Sequence, residues 1–224
     1  MPEPIVPDHQ RLAAMRRSYE RGGLEEGDLA PTWRAMLDRW LDDAVAGGVR
    51  EPNAMVVATA DAHGRPSVRT VLLKGLDDDG LTFFTNYESA KGRDLAANPY
   101  ASILFPWHDL QRQVRLTGAV RKLDGAASDA YFASRPYGSR IGALASPQSE
   151  VVPDRGALEM ARDALLEQYP DPPGDVPRPD AWGGYVLAPD AVEFWQGRPD
   201  RLHDRHVYRC DDADGTWSTA RLAP

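Results

Sequence analysis

Arg201, His203 and Arg205, near the C-terminal end of the chain, are spaced two residues apart. In an extended backbone alternate side chains share a face, so two permanent cations and a titratable imidazole would project together. Such a group repels itself unless something anionic sits between its members. Trp195, in the run Glu193-Phe-Trp-Gln-Gly197, adds a flat apolar surface suited to a ring. The combination suits an aromatic, phosphorylated small molecule. The plainer alternative is a solvated strand face paired to Glu193, Asp200 and Asp204.

A second set lies mid-chain. Tyr131 and Arg135 are four apart on an expected helix that Pro136 breaks, so they share a face. Gly138-Ser139 follows the break and can curl back toward them. Two hydroxyls and a guanidinium converging on one point make a phosphate cradle, with an ordinary helix surface as the alternative. Upstream, Arg69 and Lys74 share one expected strand. Their odd separation points them to opposite faces unless a bulge intervenes.

The scaffold for these groups has 224 residues, 42% of them hydrophobic and 27% charged, which suits one soluble globular domain. No apolar run approaches the ~20 residues of a membrane helix, and the N-terminus lacks a signal-peptide pattern, so a cytoplasmic protein is expected. The net charge of −8 argues against nucleic acid as a partner. Any small phosphate must therefore meet locally concentrated cations. One cysteine, Cys210, permits neither an internal disulfide nor a multi-cysteine metal cluster.

Helical spacing is expected over Asp8–Tyr19 (Leu12, Met15, Tyr19). A clearer helix starts at the N-cap Thr32 and buries Trp33, Met36, Leu37, Trp40, Leu41 and Ala44 before Gly47-Gly48 stops it. From Asn53 the texture is β. Strands are expected over 54–59, 67–74, 81–86, 101–107 and 113–121, and again over 182–187, 191–196, 206–210 and 216–221. Helices are expected from Ser89 to Asn98, from Asp124 to Arg135 and over 155–169. Five prolines between Pro170 and Pro179 suggest a stiff surface linker. The expected fold class is mainly β (α+β): one domain over 1–224, with an N-terminal helical arm (1–48) and an antiparallel barrel with peripheral helices (49–224).

From about Arg16 to the last residue, the tail Arg201-Leu-His-Asp-Arg205, the final Arg221-Leu-Ala-Pro224 and the internal Arg69-Thr-Val-Leu-Leu-Lys74 resemble the pyridoxamine/pyridoxine 5′-phosphate oxidase family. That resemblance implies an FMN-binding split barrel. It implies oxidation of pyridoxamine 5′-phosphate and pyridoxine 5′-phosphate by O2 to pyridoxal 5′-phosphate, the last step in making that cofactor. The hydride would pass from C4′ to flavin N5, with release of H2O2, and of ammonia from the amine. The resemblance also implies a homodimer with FMN at the subunit interface, for which Trp33, Trp40 and the apolar strands are candidate surfaces.

Carried over residue by residue, FMN would contact Arg69, Thr70, Val71, Leu72, Leu73, Lys74, Phe84, Thr85, Lys91, Gln113, Gln148, Ser149, Trp195 and Arg205. The substrate phosphate would meet Lys74, Tyr131, Arg135 and Ser139. Arg201 and His203 would sit over the pyridine ring as the catalytic pair, with Arg16 and Tyr19 closing over it. No metal is implied. One departure stands out. The family commonly has Ser-Arg-Lys where this chain has Ser89-Ala90-Lys91, so one FMN-phosphate arginine is missing, and Arg93 is the nearest substitute. Two other readings remain: a flavin or deazaflavin reductase on the same barrel, and a non-catalytic module binding pyridoxal phosphate or haem.

Overall fold

In three central strands every second residue is buried and apolar, and the barrel core grows out of that alternation. In β1 (Ala54–Ala60) the alternating positions Met55 and Val57 are buried; in β5 (Tyr100–Trp107), Ile103 and Phe105; in β6 (Arg112–Lys122), Val114 and Leu116. The chain is described here by a computed structural model covering residues 15, 18–170, 176–211 and 214–224. Among these residues nine strands form one antiparallel sheet that curls into a split barrel. Its order is β2 (Pro66–Leu72), β1, β5, β6, β7 (Trp182–Gln196), β4 (Gly80–Asn86) and β3 (Gly75–Asp77). The strand β8 (Asp204–Cys210) pairs with β7, and β9 (Trp217–Arg221) with β8.

β7 pairs with β6 along one edge and changes partner on the other, from β4 at Trp182–Leu187 to β8 at Ala191–Gln196. Thr117 faces Ala191 and Gly118 faces Pro189, so Asp190 is the extra residue of a bulge. A Cβ on Gly118 would lie 2.0 Å from the Ala188 carbonyl oxygen, which leaves room only for glycine. The two strands expected over 182–187 and 191–196 are therefore one strand of 15 residues, with Pro189 accommodated at its bulge.

The expected helix at Thr32 is α1 (Trp33–Ala46), and the Thr32 hydroxyl accepts from the Ala35 N–H at 3.1 Å. Met36, Leu37, Trp40 and Ala44 face the barrel core, where Trp40 meets Phe194 edge-on at 5.2 Å. Trp40 is thus buried in its own chain (1% exposed) and offers no surface to a partner, whereas Trp33 (8% exposed) lines a surface depression with Trp217. Ser89 caps α2 (Ala90–Ala97), Asp124 caps α3 (Gly125–Ser134) and Asp154 caps α5 (Arg155–Gln168).

Past Pro136, which ends α3 as expected, the chain restarts as an unexpected helix, α4 (Tyr137–Ala145). A proline at a helix start loses no hydrogen bond, and Ile141 supplies an apolar face that joins Phe132, Val176 and Trp182 in a second cluster. Val176 is 5% exposed, so the end of the proline-rich stretch is packed and is not a free surface linker. Residues 171–175 of that stretch lie outside the described residues, as does most of the helix expected over Asp8–Tyr19, Arg16 included. Ser18–Glu20 are non-helical.

Candidate active site

β2 ends at Leu72, two residues before Lys74, and this early end shapes the site. Leu73 turns into the core (8% exposed) while its N–H donates to the Asn53 carbonyl at 2.9 Å; the Lys74 N–H donates to the Thr82 carbonyl at 2.8 Å. Arg69 and Lys74 consequently line the same cleft, and the opposite-face expectation fails because no regular strand connects them. The cleft, of about 480 Å³, is lined by Arg69, Thr70, Val71, Leu72, Lys74, Phe84, Thr85, Lys91, Tyr131, Arg135, Gln148 and Trp182. Four of these are cations and none is a carboxylate, in a chain of net charge −8.

Arg69 is anchored at the rear, donating to Thr59 Oγ1 at 2.6 Å and Ser67 Oγ at 2.8 Å, with Asp94 Oδ2 at 3.6 Å. Lys91 is buried, and its Nζ donates only to neutral oxygens: Gln148 Oε1 at 2.8 Å, Thr85 Oγ1 at 2.9 Å and Ser89 Oγ at 3.3 Å. Burial, and then the Arg69 charge, push its pKa from the ordinary 10.5 down to about 8. Lys74 and the Tyr131 hydroxyl spend no hydrogen bond on any described residue. Arg135 Nη1 is buried without an acceptor, and burial lowers the pKa of this guanidinium.

The tail residues lie elsewhere on the chain. Register sets Gln113, Trp195 and Arg205 side by side across β6, β7 and β8, in a shallow depression of about 160 Å³. Arg205 Nε reaches Glu193 Oε1 at 2.8 Å, so for this residue the ion-pair alternative is present in the chain alone. Arg201 and His203 do not alternate along a strand with Arg205. Pro199–Arg201 form a 3-10 turn, Asp200 and Arg201 are left-handed (φ 55 and 63), and β8 begins only at Asp204.

That turn nevertheless gathers Arg201 and His203 with Tyr19 around a depression of about 380 Å³. His203 lies 4.6 Å from the Trp195 ring and 5.6 Å from Tyr19. Gly197 allows this approach, since a Cβ there would come within 2.8 Å of the Tyr19 ring. His203 Nδ1 accepts from the Arg198 N–H at 3.1 Å, which puts the proton of the neutral ring on Nε2. Burial and then Arg201 lower its pKa against the pull of Asp204. Arg201 itself makes no hydrogen bond or ion pair with a described residue.

A buried carboxylate ties this region together. Asp204 accepts from the Leu24 N–H at 2.9 Å and from Arg221 Nη1 at 2.8 Å, with Arg198 Nε at 3.3 Å. Two left-handed non-glycine residues in succession persist only where the surroundings over-determine them, and this clasp does so.

Some expected residues stand apart from the cleft. Leu73 is in the core, Ser139 is exposed on the first turn of α4, and Ser149 is exposed with φ 76. Arg93 pairs with Glu150 at 2.8 Å and does not join the lining in place of the residue absent at Ala90. Conversely, Trp182 lines the cleft although sequence reasoning placed it only at the start of a strand. Its one signal was an aromatic beside Gly183-Gly184 at the mouth of a barrel strand.

The split antiparallel barrel thus carries a cation-lined cleft with no carboxylate among its lining residues, an arrangement whose charge suits an anionic ligand. The family model described as "Pyridoxamine 5′-phosphate oxidase" matches residues 41–169, and "Pyridoxine 5′-phosphate oxidase C-terminal dimerisation region" matches residues 182–224. The chain belongs to the pyridoxamine 5′-phosphate oxidase family of flavoprotein oxidoreductases. Among curated relatives, a pyridoxine/pyridoxamine 5′-phosphate oxidase of Salinispora arenicola is 56% identical over 98% of this chain and 99% of its own. One of Burkholderia multivorans is 55% identical over 95% and 99%. Among solved structures, PhzG from Burkholderia lata 383, in complex with tetrahydrophenazine-1-carboxylic acid, superposes with a TM-score of 0.84 at 34% identity, covering 93% of this chain and 100% of that one.

Proposed function

We propose that the chain oxidises pyridoxamine 5′-phosphate and pyridoxine 5′-phosphate to pyridoxal 5′-phosphate with FMN as cofactor and O2 as acceptor, releasing H2O2. The observation that carries this reading is the set of un-neutralised donors in one cleft: Lys74, the Tyr131 hydroxyl and Arg135, none spent on a described residue. A phosphate dianion satisfies all three.

The residues also fit FMN. Lys91 is a buried ammonium with only neutral partners, an arrangement that an anion completes. Arg69, Lys91, Thr70 and Thr85 would hold the cofactor phosphate, with Gln148 bracing Lys91. When bound, FMN supplies the hydride acceptor and the centre that reacts with oxygen. The protein's own part is to bind, orient and keep out water. Lys74, Tyr131 and Arg135 hold the substrate phosphate. Arg201 holds the pyridine ring. His203, with Nδ1 occupied by Arg198, meets the substrate as a donor through Nε2–H. Tyr19 closes the rim, with Arg16 as its expected companion.

The cleft and the tail depressions share no lining residue and lie toward opposite ends of β7. A second copy of the chain, joined through the C-terminal region, would bring the Trp195, Arg201, His203 and Arg205 of one subunit to the cleft of the other. A carboxylated fused ring is the competing substrate class, supported by the ligand of the PhzG relative. Three donors converging in one cleft suit a dianionic phosphate better than a single carboxylate.

The test is aerobic turnover of pyridoxamine 5′-phosphate by the FMN-reconstituted protein, with pyridoxal phosphate and peroxide followed together. Equal yields of both, lost in Arg201→Ala, support the reading. Bound FMN without product from either phosphorylated vitamer refutes it.

A further inference from the structure

Arg135 poses a problem that the cleft must solve: a desolvated guanidinium has to be held still without being neutralised. Its Nη1 is buried with no acceptor, and no carboxylate lines the cleft. Two aromatic faces hold it instead. The Arg135 guanidinium carbon lies 4.6 Å from the Trp182 ring centroid and 5.5 Å from that of Phe132. A guanidinium against a ring face keeps its in-plane N–H fork free, whereas a salt bridge would occupy the fork and cancel the charge.

Trp182 also belongs to the group of parallel rings that holds the other donor, Tyr131. Its ring is parallel to Phe84 (5.4 Å, 12°) and to Tyr131 (6.2 Å, 3°), while Phe84 and Tyr131 stack at 3.8 Å. The indole is itself immobilised, being 6% exposed with its backbone pinned on both sides. The Trp182 N–H donates to the Pro179 carbonyl at 2.9 Å, and its carbonyl accepts from Arg178 Nη1 at 2.5 Å. Arg178 in turn pairs with Asp129 of α3, the helix that carries Tyr131 and leads to Arg135.

We infer that Trp182 is a positioning residue for phosphate recognition, aiming the Arg135 fork and the Tyr131 hydroxyl at the phosphate while leaving both unspent. This rests on the phosphorylated-substrate reading above. The FMN-reconstituted wild type, Trp182→Leu and Trp182→Phe are titrated with pyridoxal 5′-phosphate and with unphosphorylated pyridoxal. Trp182→Leu is expected to lose about tenfold in affinity for the phosphorylated ligand, the size of a desolvated cation–π contact, with pyridoxal affinity unchanged. Trp182→Phe, which keeps a flat face, restores most of the ratio.

A purely structural role would weaken both ligands alike or lower only the melting temperature. An unchanged phosphate-to-pyridoxal ratio in Trp182→Leu overturns the inference. A wild type that binds the two ligands equally overturns it as well. A wild type that discriminates by the phosphate yet turns over neither vitamer would sink the oxidase reading and leave this inference standing.

Discussion

Replacing Lys91 with methionine should stabilise the cofactor-free protein while crippling its cofactor site. The ammonium is 8% exposed with only neutral partners, and its pKa falls from 10.5 to about 8. A depression of that size corresponds to a native-state penalty of about 3 kcal/mol at neutral pH. Water at the cleft mouth screens part of it, leaving about 1–2 kcal/mol. For a chain of this length that raises Tm by about 2–8 °C in the apo variant.

The sign follows from proton counting. Between about pH 8 and 10.5 the unfolded lysine binds more protons than the folded one, so wild-type stability rises with pH across that window. The advantage of Lys91→Met should therefore be full below pH 8 and gone above 10.5. Denaturant midpoints of the two apo proteins at pH 7 and pH 10 measure it, and FMN titration should show at least tenfold weaker binding by the variant. An apo variant less stable than wild type at pH 7, or a gap indifferent to pH, would refute the reasoning.

Asp204→Asn should loosen the clasp that holds the Asp200–Arg201 turn, costing about 2 kcal/mol in a chemical melt because Arg198 and Arg221 are left partly unpaired. Its kcat/KM should fall with it. Burial and Arg201 both lower the His203 pKa, so Arg201→Gln should move the imidazole titration upward, as read by NMR; a downward shift would contradict the assigned contacts. Ala90→Arg should tighten FMN about tenfold in a fluorescence titration, since Arg93 is committed to Glu150 and leaves room for another phosphate donor.

Local chemistry was legible in the sequence. The Thr32 cap, the stripe of α1, the alternation in β1, β5 and β6, and the Ser89 cap of α2 each follow from residues close in sequence. What depended on distant contacts was not. Lys74 joins the face of Arg69 because Asn53 and Thr82 take the backbone N–H groups of Leu73 and Lys74. β7 stays continuous because Gly118 admits a bulge opposite Pro189. The alternation expected over Arg201–Arg205 gave way to a strained turn held by Asp204, whose partners Leu24 and Arg221 are remote in sequence. Trp182 acquires its place only once α3 packs against β7.

The length of β7 has a genetic consequence. One strand carries Trp182 of the cleft and Trp195 of the tail depression thirteen positions apart, roughly 40 Å along its path. In the proposed dimer each chain therefore donates its two halves to two different sites. A subunit damaged at Arg135 and one damaged at Arg201 should each be inactive as homodimers. Mixed together, they form heterodimers in which one site collects both lesions and the other collects neither. Two dead alleles of this kind would complement, up to about a quarter of wild-type activity for random assortment. Two lesions within the same half would not.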